Sequence, residues 1–211
     1  MSRSYAQIAF TPLVKKQQVK HGSRSQYQRV EAAGSAGSAL TAYERQFIAE
    51  RDSFYLATVS ETGWPYIQHR GGEAGFLHVL DDRTIAFADY RGNRQYITLG
   101  NLDHDNRVAL FLMDYPSRTR LKILGRATVF EGEQAKPYLE QLTASDTRRL
   151  VERVLTIRVE AFDWNCQQHI TPRYTEEQVV AVMAPVRKRL AELEEENRRL
   201  RLELADQHQH Q

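Results

Sequence analysis

The segment Asp89-Tyr90-Arg91-Gly92-Asn93-Arg94-Gln95-Tyr96-Ile97-Thr98 concentrates residue types that hold a phosphate. It falls where a strand is expected to end and a short helix to begin, and a helix N-terminus offers an anion unpaired N–H groups and a partial positive charge. Gly92 lets the backbone approach closely, Arg94 can make a forked, charge-assisted contact, and Thr98 adds a hydroxyl. A second reading stands level with this one on local sequence alone: a polar turn with solvated arginines. A second segment, Gln68-His69-Arg70-Gly71-Gly72, closes the strand that starts at Pro65. Alternation aims Gln68 and Arg70 to one side and His69 to the other, and two glycines let the backbone lie against a flat ring. Alone, an ordinary strand end with a glycine turn is the slightly stronger reading.

Most of the chain that must position these residues has the period of strands. Residues 54–59 are rich in aromatic and β-branched types, Glu61-Thr62-Gly63 supplies a turn, and 65–70 returns. Further strands are expected at 76–80 and 84–88, at 107–113 and 120–130 around Pro116-Ser117, and at 155–162. Many short antiparallel strands at close spacing predict a barrel or sandwich rather than a parallel α/β sheet. Helices are expected at 41–51, where Thr41 and Glu44 stand at capping-box spacing and Tyr43, Phe47 and Ile48 share a face, near 94–99 with Gly100 as its stop, and near 133–142.

The ends read differently. Residues 1–40 mix Lys15, Lys16, Lys20, Arg24 and Arg29 with small residues and are expected to form an N-terminal arm, on which Phe10, Pro12 and Leu13 can still pack against a neighbour. Residues 41–173 are the predicted barrel domain. Residues 174–211 are the predicted C-terminal helix, opened by the capping box Thr175-Glu176-Glu177-Gln178. There Val179, Met183, Val186, Leu190, Leu193, Asn197, Leu200 and Leu204 follow spacings of four and three, a heptad seam that suggests a parallel coiled coil, with a single amphipathic helix packed on its own barrel as the other reading; Pro185 predicts a kink or a fresh start.

Composition narrows the function classes. The 211 residues carry 29 basic and 27 acidic side chains, a net charge of +2, so bulk charge points to neither a nucleic-acid nor a membrane partner. The single cysteine, Cys166, rules out an intrachain disulfide framework and a multi-thiolate metal site, and no metal is expected. No apolar run reaches the ~18 residues of a membrane helix and the N-terminus lacks signal-peptide order, so a cytoplasmic protein is expected.

In this order and strand context, the segments resemble the FMN-binding split-barrel superfamily, specifically the pyridoxamine 5'-phosphate oxidase-related proteins. The resemblance is carried by Phe-Tyr-Leu-Ala-Thr-Val-Ser from Phe54, Gly-Trp-Pro-Tyr-Ile-Gln-His-Arg-Gly-Gly from Gly63, Phe-Ala-Asp-Tyr-Arg-Gly-Asn-Arg-Gln-Tyr from Phe87 and Arg-Val-Ala-Leu-Phe-Leu-Met-Asp-Tyr from Arg107. A second match, Asp163-Trp164-Asn165-Cys166-Gln167-Gln168-His169-Ile170-Thr171-Pro172-Arg173, is similar to the late flavin-side motif of one subgroup.

The resemblance implies a mainly β split barrel with peripheral helices, working as a homodimer with FMN at the subunit interface. It implies an FMN phosphate near Arg94, Gln95 and Thr98, with Gln68, His69, Arg70 and Gly71 lining the flavin ring and Asp89 and Asn93 also among the cofactor-binding residues. Arg118, Arg120 and Lys122 become candidate donors to the phosphate or the pyrimidine end of the ring, and Arg120 and Lys122 share one strand face. Trp164, Asn165, His169 and Arg173 would complete the pocket from the partner subunit, although Trp164 is equally readable as core. The expected activity is FMN-dependent oxidoreduction of a small molecule with no catalytic side chain assigned. The alternatives are a flavin-binding or ligand-binding sensor or carrier, or a split barrel holding a deazaflavin or heme. Where pyridoxamine 5'-phosphate oxidases carry Arg-Pro-Arg-x-Ser-Gln-Ile-Gly-Ala-Trp, this chain reads Thr143-Ala144-Ser145-Asp146-Thr147-Arg148-Arg149-Leu150, so substrate-side residues do not carry over and vitamin oxidation is not expected.

Overall fold

The computed structural model describes residues 4–33, 39–143, 150–164 and 168–209. They form two compact units, one of residues 1–114 with 118–169 and one of 115–117 with 170–211. The first is built on seven strands: β1 (Ser53–Val59), β2 (Pro65–Gly71), β3 (His78–Val79), β4 (Thr84–Tyr90), β5 (Arg107–Asp114), β6 (Thr119–Glu131) and β7 (Val151–Trp164). All neighbours are antiparallel in the order β2-β1-β5-β6-β7-β4-β3. The sheet curls into a split β-barrel: Phe54 of β1 meets Phe87 of β4 at 5.3 Å between ring centres, although these strands are not neighbours in the order.

Period-two alternation explains the interior. Phe54 and Leu56 on β1, Leu110 and Leu112 on β5, Leu121 and Ile123 on β6, and Leu155 and Ile157 on β7 are buried in one core with Ile85 and Phe87. The register bulges between Leu124 and Gly125. A Cβ at Gly125 would stand 2.6 Å from the Arg158 carbonyl oxygen, so β6 and β7 can approach there only with glycine.

Helix α4 (Ala42–Ala49) bears out the capping-box expectation, with Thr41 and Glu44 bonding each other's backbone, and buries Phe47 and Ile48. Arg51 ties its end to β5: Nε donates to the Phe47 carbonyl at 3.0 Å and Nη1 to the Met113 carbonyl at 3.2 Å. The arm segment is helical where it is described, as α1 (Tyr5–Ala9), α2 (Pro12–Lys20) and α3 (Arg24–Ala33). Ser4 and Thr11 cap α1 and α2, Pro12 opens α2, and Glu31 holds both Lys15 and Arg24. Phe10 does pack, on Tyr27.

Three local expectations change. The helix expected at 94–99 is α5 (Ile97–His104), because Arg94 and Tyr96 take positive φ and cannot start it; Gly100 lies inside rather than stopping it, and buried Asn101 and Leu102 anchor the second turn. The helix near 133–142 is a 3-10 turn at Gly132–Gln134 followed by α6 (Lys136–Leu142), with Pro137 in its first turn. In the second unit the capping box forms between Thr175 and Gln178, and α7 (Glu176–Gln209) runs through Pro185 without a fresh start. Proline there removes one backbone donor from the helix.

Candidate functional site

The two segments marked by their chemistry meet in one cleft. Gln68 and Arg70 stand opposite Leu56 and Phe54 in the β1–β2 register, so both point inward at the barrel rim. Beside them β4 ends in Asp89 and Tyr90, and the loop to α5 contributes Gly92, Asn93, Arg94, Gln95 and Tyr96. The cleft encloses about 210 Å³, and Tyr66, Thr98, Glu152 and Arg153 also line it.

Two side-chain bonds clip the segments together. Thr98, buried on the first turn of α5, donates to Gln68 Oε1 at 2.8 Å. Arg70 Nη1 donates to Asp89 at 2.5 Å. One layer below, buried Asn101 donates to Thr58 at 2.8 Å and fixes α5 on β1. The Thr98 hydroxyl proton is thus used within the protein, and the Gln68 amide is oriented with its oxygen toward Thr98.

Asp89 is the electrostatic centre. Its other oxygen accepts from Arg153 Nη1 at 2.9 Å, and Arg153 also donates to Glu131 at 2.9 Å and Glu152 at 2.8 Å. Burial pulls the Arg153 pKa down, but the hydrogen bonds to Glu131 and Asp89 more than reverse this and leave it above the ordinary arginine value. The Arg153 guanidinium lies 5.2 Å from the Tyr96 ring centre. Three guanidiniums (Arg70, Arg94, Arg153) face two carboxylates (Asp89, Glu152), so the lining carries a net charge of +1. Arg70 Nε is buried with no hydrogen-bond partner among the described residues.

The loop into α5 departs from ordinary backbone. Arg94 has φ 62° and Tyr96, the N-cap, has φ 54°; no side chain caps the first N–H groups. Arg94 is exposed, and the Tyr96 phenol beside it raises its pKa above the ordinary arginine value. Gly92 has an ordinary negative φ, so the strained positions are borne by Arg94 and Tyr96.

The other candidates lie elsewhere. His69 points outward against the Tyr55 ring, on the face opposite Gln68 and Arg70 as alternation predicts. Gly71 and Gly72 serve packing: a Cβ on Gly72 would enter the Phe76 ring at 2.8 Å. Arg120 and Lys122 share the outer face of β6, Arg120 over the Phe111 ring and Lys122 paired with Asp163 at 2.6 Å beneath Tyr5. Arg118 takes φ 56° in the turn before β6 and His169 φ 62°. Trp164 donates to Glu44 at 3.0 Å and packs on Tyr43 and Phe47, which joins β7 to α4; Arg173 lies over Tyr115. Asn165, Cys166 and most of the 143–150 stretch lie outside the described residues. Sequence reasoning missed Tyr66, Glu152 and Arg153 in the lining. Arg153 is the cross-strand partner of Asp89, a relation that exists only once β4 and β7 pair.

An antiparallel split barrel with a basic cleft between β2, the end of β4 and the start of α5 defines the class. The family model for pyridoxamine 5'-phosphate oxidase matches residues 40–165, more than half of the chain, and the chain belongs to that family. Among solved structures, one from Lactobacillus delbrueckii described as a putative pyridoxamine 5'-phosphate oxidase is 24% identical, with 61% of this chain and 97% of that one covered and a TM-score of 0.48. Group A Streptococcus HupZ is 19% identical over 64% of this chain and 99% of its own, at a TM-score of 0.47. A Clostridium acetobutylicum protein related to general stress protein 26 is 12% identical over 65% and 94%, at 0.44. No curated protein matches the chain.

Proposed function

We propose that this protein binds FMN in the Gln68–Arg94–Arg153 cleft, as a homodimer, and that it is an FMN-dependent oxidoreductase acting on a small molecule. The observation that carries the reading is the joining of segments 68–70 and 89–98 into one lined cleft of net positive charge at an uncapped helix start. The donor set fits a flavin mononucleotide. Arg94 and the open N–H groups of α5 suit a phosphate, and the Gln68 amide and the unpartnered Arg70 Nε suit a ring edge rich in carbonyls and nitrogens. Arg70 and Arg153 bracket Asp89, so its carboxylate does not repel an anionic ligand.

The chemistry FMN supplies when bound is acceptance of a hydride from a donor such as a reduced nicotinamide and delivery of electrons to an acceptor. The chain's own work is to bind, orient and polarise, and no side chain needs to act as acid or base. About 210 Å³ is less than the roughly 300 to 1,000 Å³ of a complete small-molecule pocket, so one chain supplies part of the site. A second copy suits the outer face of β1 and β2, where Tyr55, Val59 and Ile67 are exposed together with Trp64 before β2. In that assembly His169 and the outward Arg120 and Lys122 are the residues we assign to the rest of the pocket.

The test is an absorption spectrum of protein purified without added cofactor, then FMN titration and reduction by either nicotinamide. Flavin bands or stoichiometric FMN uptake with turnover is expected. No flavin bands and no FMN uptake would sink the reading, and bound FMN that neither nicotinamide reduces would leave a binding module without turnover.

A further inference from the structure

We propose that α7 pairs with α7 of a second copy of this chain as a parallel, in-register two-stranded coiled coil. The helix spans 34 residues, roughly 50 Å at 1.5 Å per residue, and lies beyond the family match. Met183, Val186, Leu190, Leu193, Leu200 and Leu204 are all exposed, between 40% and 56%, on one heptad stripe. A monomeric helix in water gains nothing from such a stripe.

Side-chain chemistry selects the occupant and its direction. With Leu190 at position a, Leu193 is d, Asn197 a, Leu200 d and Leu204 a. In a parallel pair Asn197 faces its own copy, and the two amides bond each other across the seam. In the antiparallel pair with the same layers Asn197 faces Leu193, which buries an amide against hydrocarbon. The flanks agree: Arg189 at g meets Glu194 at e of the second copy, and Glu196 at g meets Arg201 at e, so both full interchain pairs are complementary. The ion pairs formed within one helix, Arg198 with Glu195 and Arg189 with Glu192, place Arg198, Glu195 and Glu192 on positions b, f and c, outside the seam.

Cysteine cross-linking of the full chain tests direction as well as association. In a Cys166→Ser background, Leu190→Cys and Leu204→Cys should each yield a covalent dimer under mild oxidation, because position a lies beside itself in a parallel pair. Lys188→Cys, at the outer position f, should remain monomeric on a denaturing gel. Failure of both seam variants to cross-link, or equally fast cross-linking of Lys188→Cys, would overturn the pairing. A mixture of Leu190→Cys and Leu200→Cys chains that preferentially cross-links to each other would overturn the parallel direction. FMN content, read on the same samples, reports the cleft independently.

Discussion

Replacing Arg94 by alanine separates ligand binding from folding. Arg94 is exposed and its side chain touches little besides the Tyr96 phenol, so its loss should change stability by no more than about 0.5 kcal/mol. Alanine keeps a Cβ at φ 62°, so the backbone strain of the site is unchanged. A charge-assisted contact to a phosphate contributes about 1.5 to 3 kcal/mol, which converts to a loss of FMN affinity of about 10- to 150-fold. Because the guanidinium stands in solvent, the difference between wild type and variant should shrink as salt is raised. Flavin fluorescence titration at two ionic strengths reads the affinity, and urea denaturation of the FMN-free protein reads the fold. Unchanged affinity would remove Arg94 from the phosphate site and move the assignment to Gln95 or Arg120. A large loss of stability would show that the loop is a folding element, contrary to the exposure on which the estimate rests.

Glu44 links the α4 cap to Trp164, and Glu44→Gln should cost about 1 to 2 kcal/mol at neutral pH by urea denaturation. Burial raises the Glu44 pKa, but the bonds from Thr41 and Trp164 outweigh it and hold it below the ordinary glutamate value. Its contribution is therefore full above that value and lost as pH falls through the lower folded pKa; equal acid sensitivity of wild type and Gln variant would contradict this. Gly125→Ala should destabilise by about 1 to 3 kcal/mol, since the added Cβ meets the Arg158 carbonyl and Ile157 rather than a movable side-chain end; an unchanged denaturation midpoint would show that the bulge can open. Arg94→Gly should be more stable than Arg94→Ala by about 1 kcal/mol because glycine adopts φ 62° without a Cβ clash, while both lose the same affinity; equal stabilities would mean that the loop relaxes.

The parts of the fold legible in sequence are those whose cause is local. Alternation marked β1 because one of its faces is buried: Phe54 and Leu56 inward, Tyr55 outward. Thr41 and Glu44 marked α4 because a capping box needs only a spacing of three. Helix α5 was misplaced because glycine marks helix ends only statistically, and the burial of Leu102 is a tertiary fact that no window around Gly100 contains. The helices of the N-terminal segment were missed for a related reason: their caps are local, but the bond from Lys15 of α2 to Glu31 of α3 joins separate helices.

The cleft divides along the same line, and the division bears on how it works. Gln68, Arg70, Arg94 and Thr98 were legible because donors near a strand end and a helix start stand out by type. Arg153 was not, because its meaning comes from lying across from Asp89, and without it Asp89 would hold a buried charge against Arg70 alone. Arg70 and Arg153 are thus engaged in neutralising Asp89 within the cleft wall, whereas Arg94 is exposed, at a positive φ and beside the Tyr96 phenol. The Tyr96 ring stands 5.2 Å from the Arg153 guanidinium, so the network that builds the wall extends to the positive-φ loop that carries Arg94. Replacing Arg153 is therefore expected to disturb a phosphate contact made through Arg94 as well as the wall that holds Asp89.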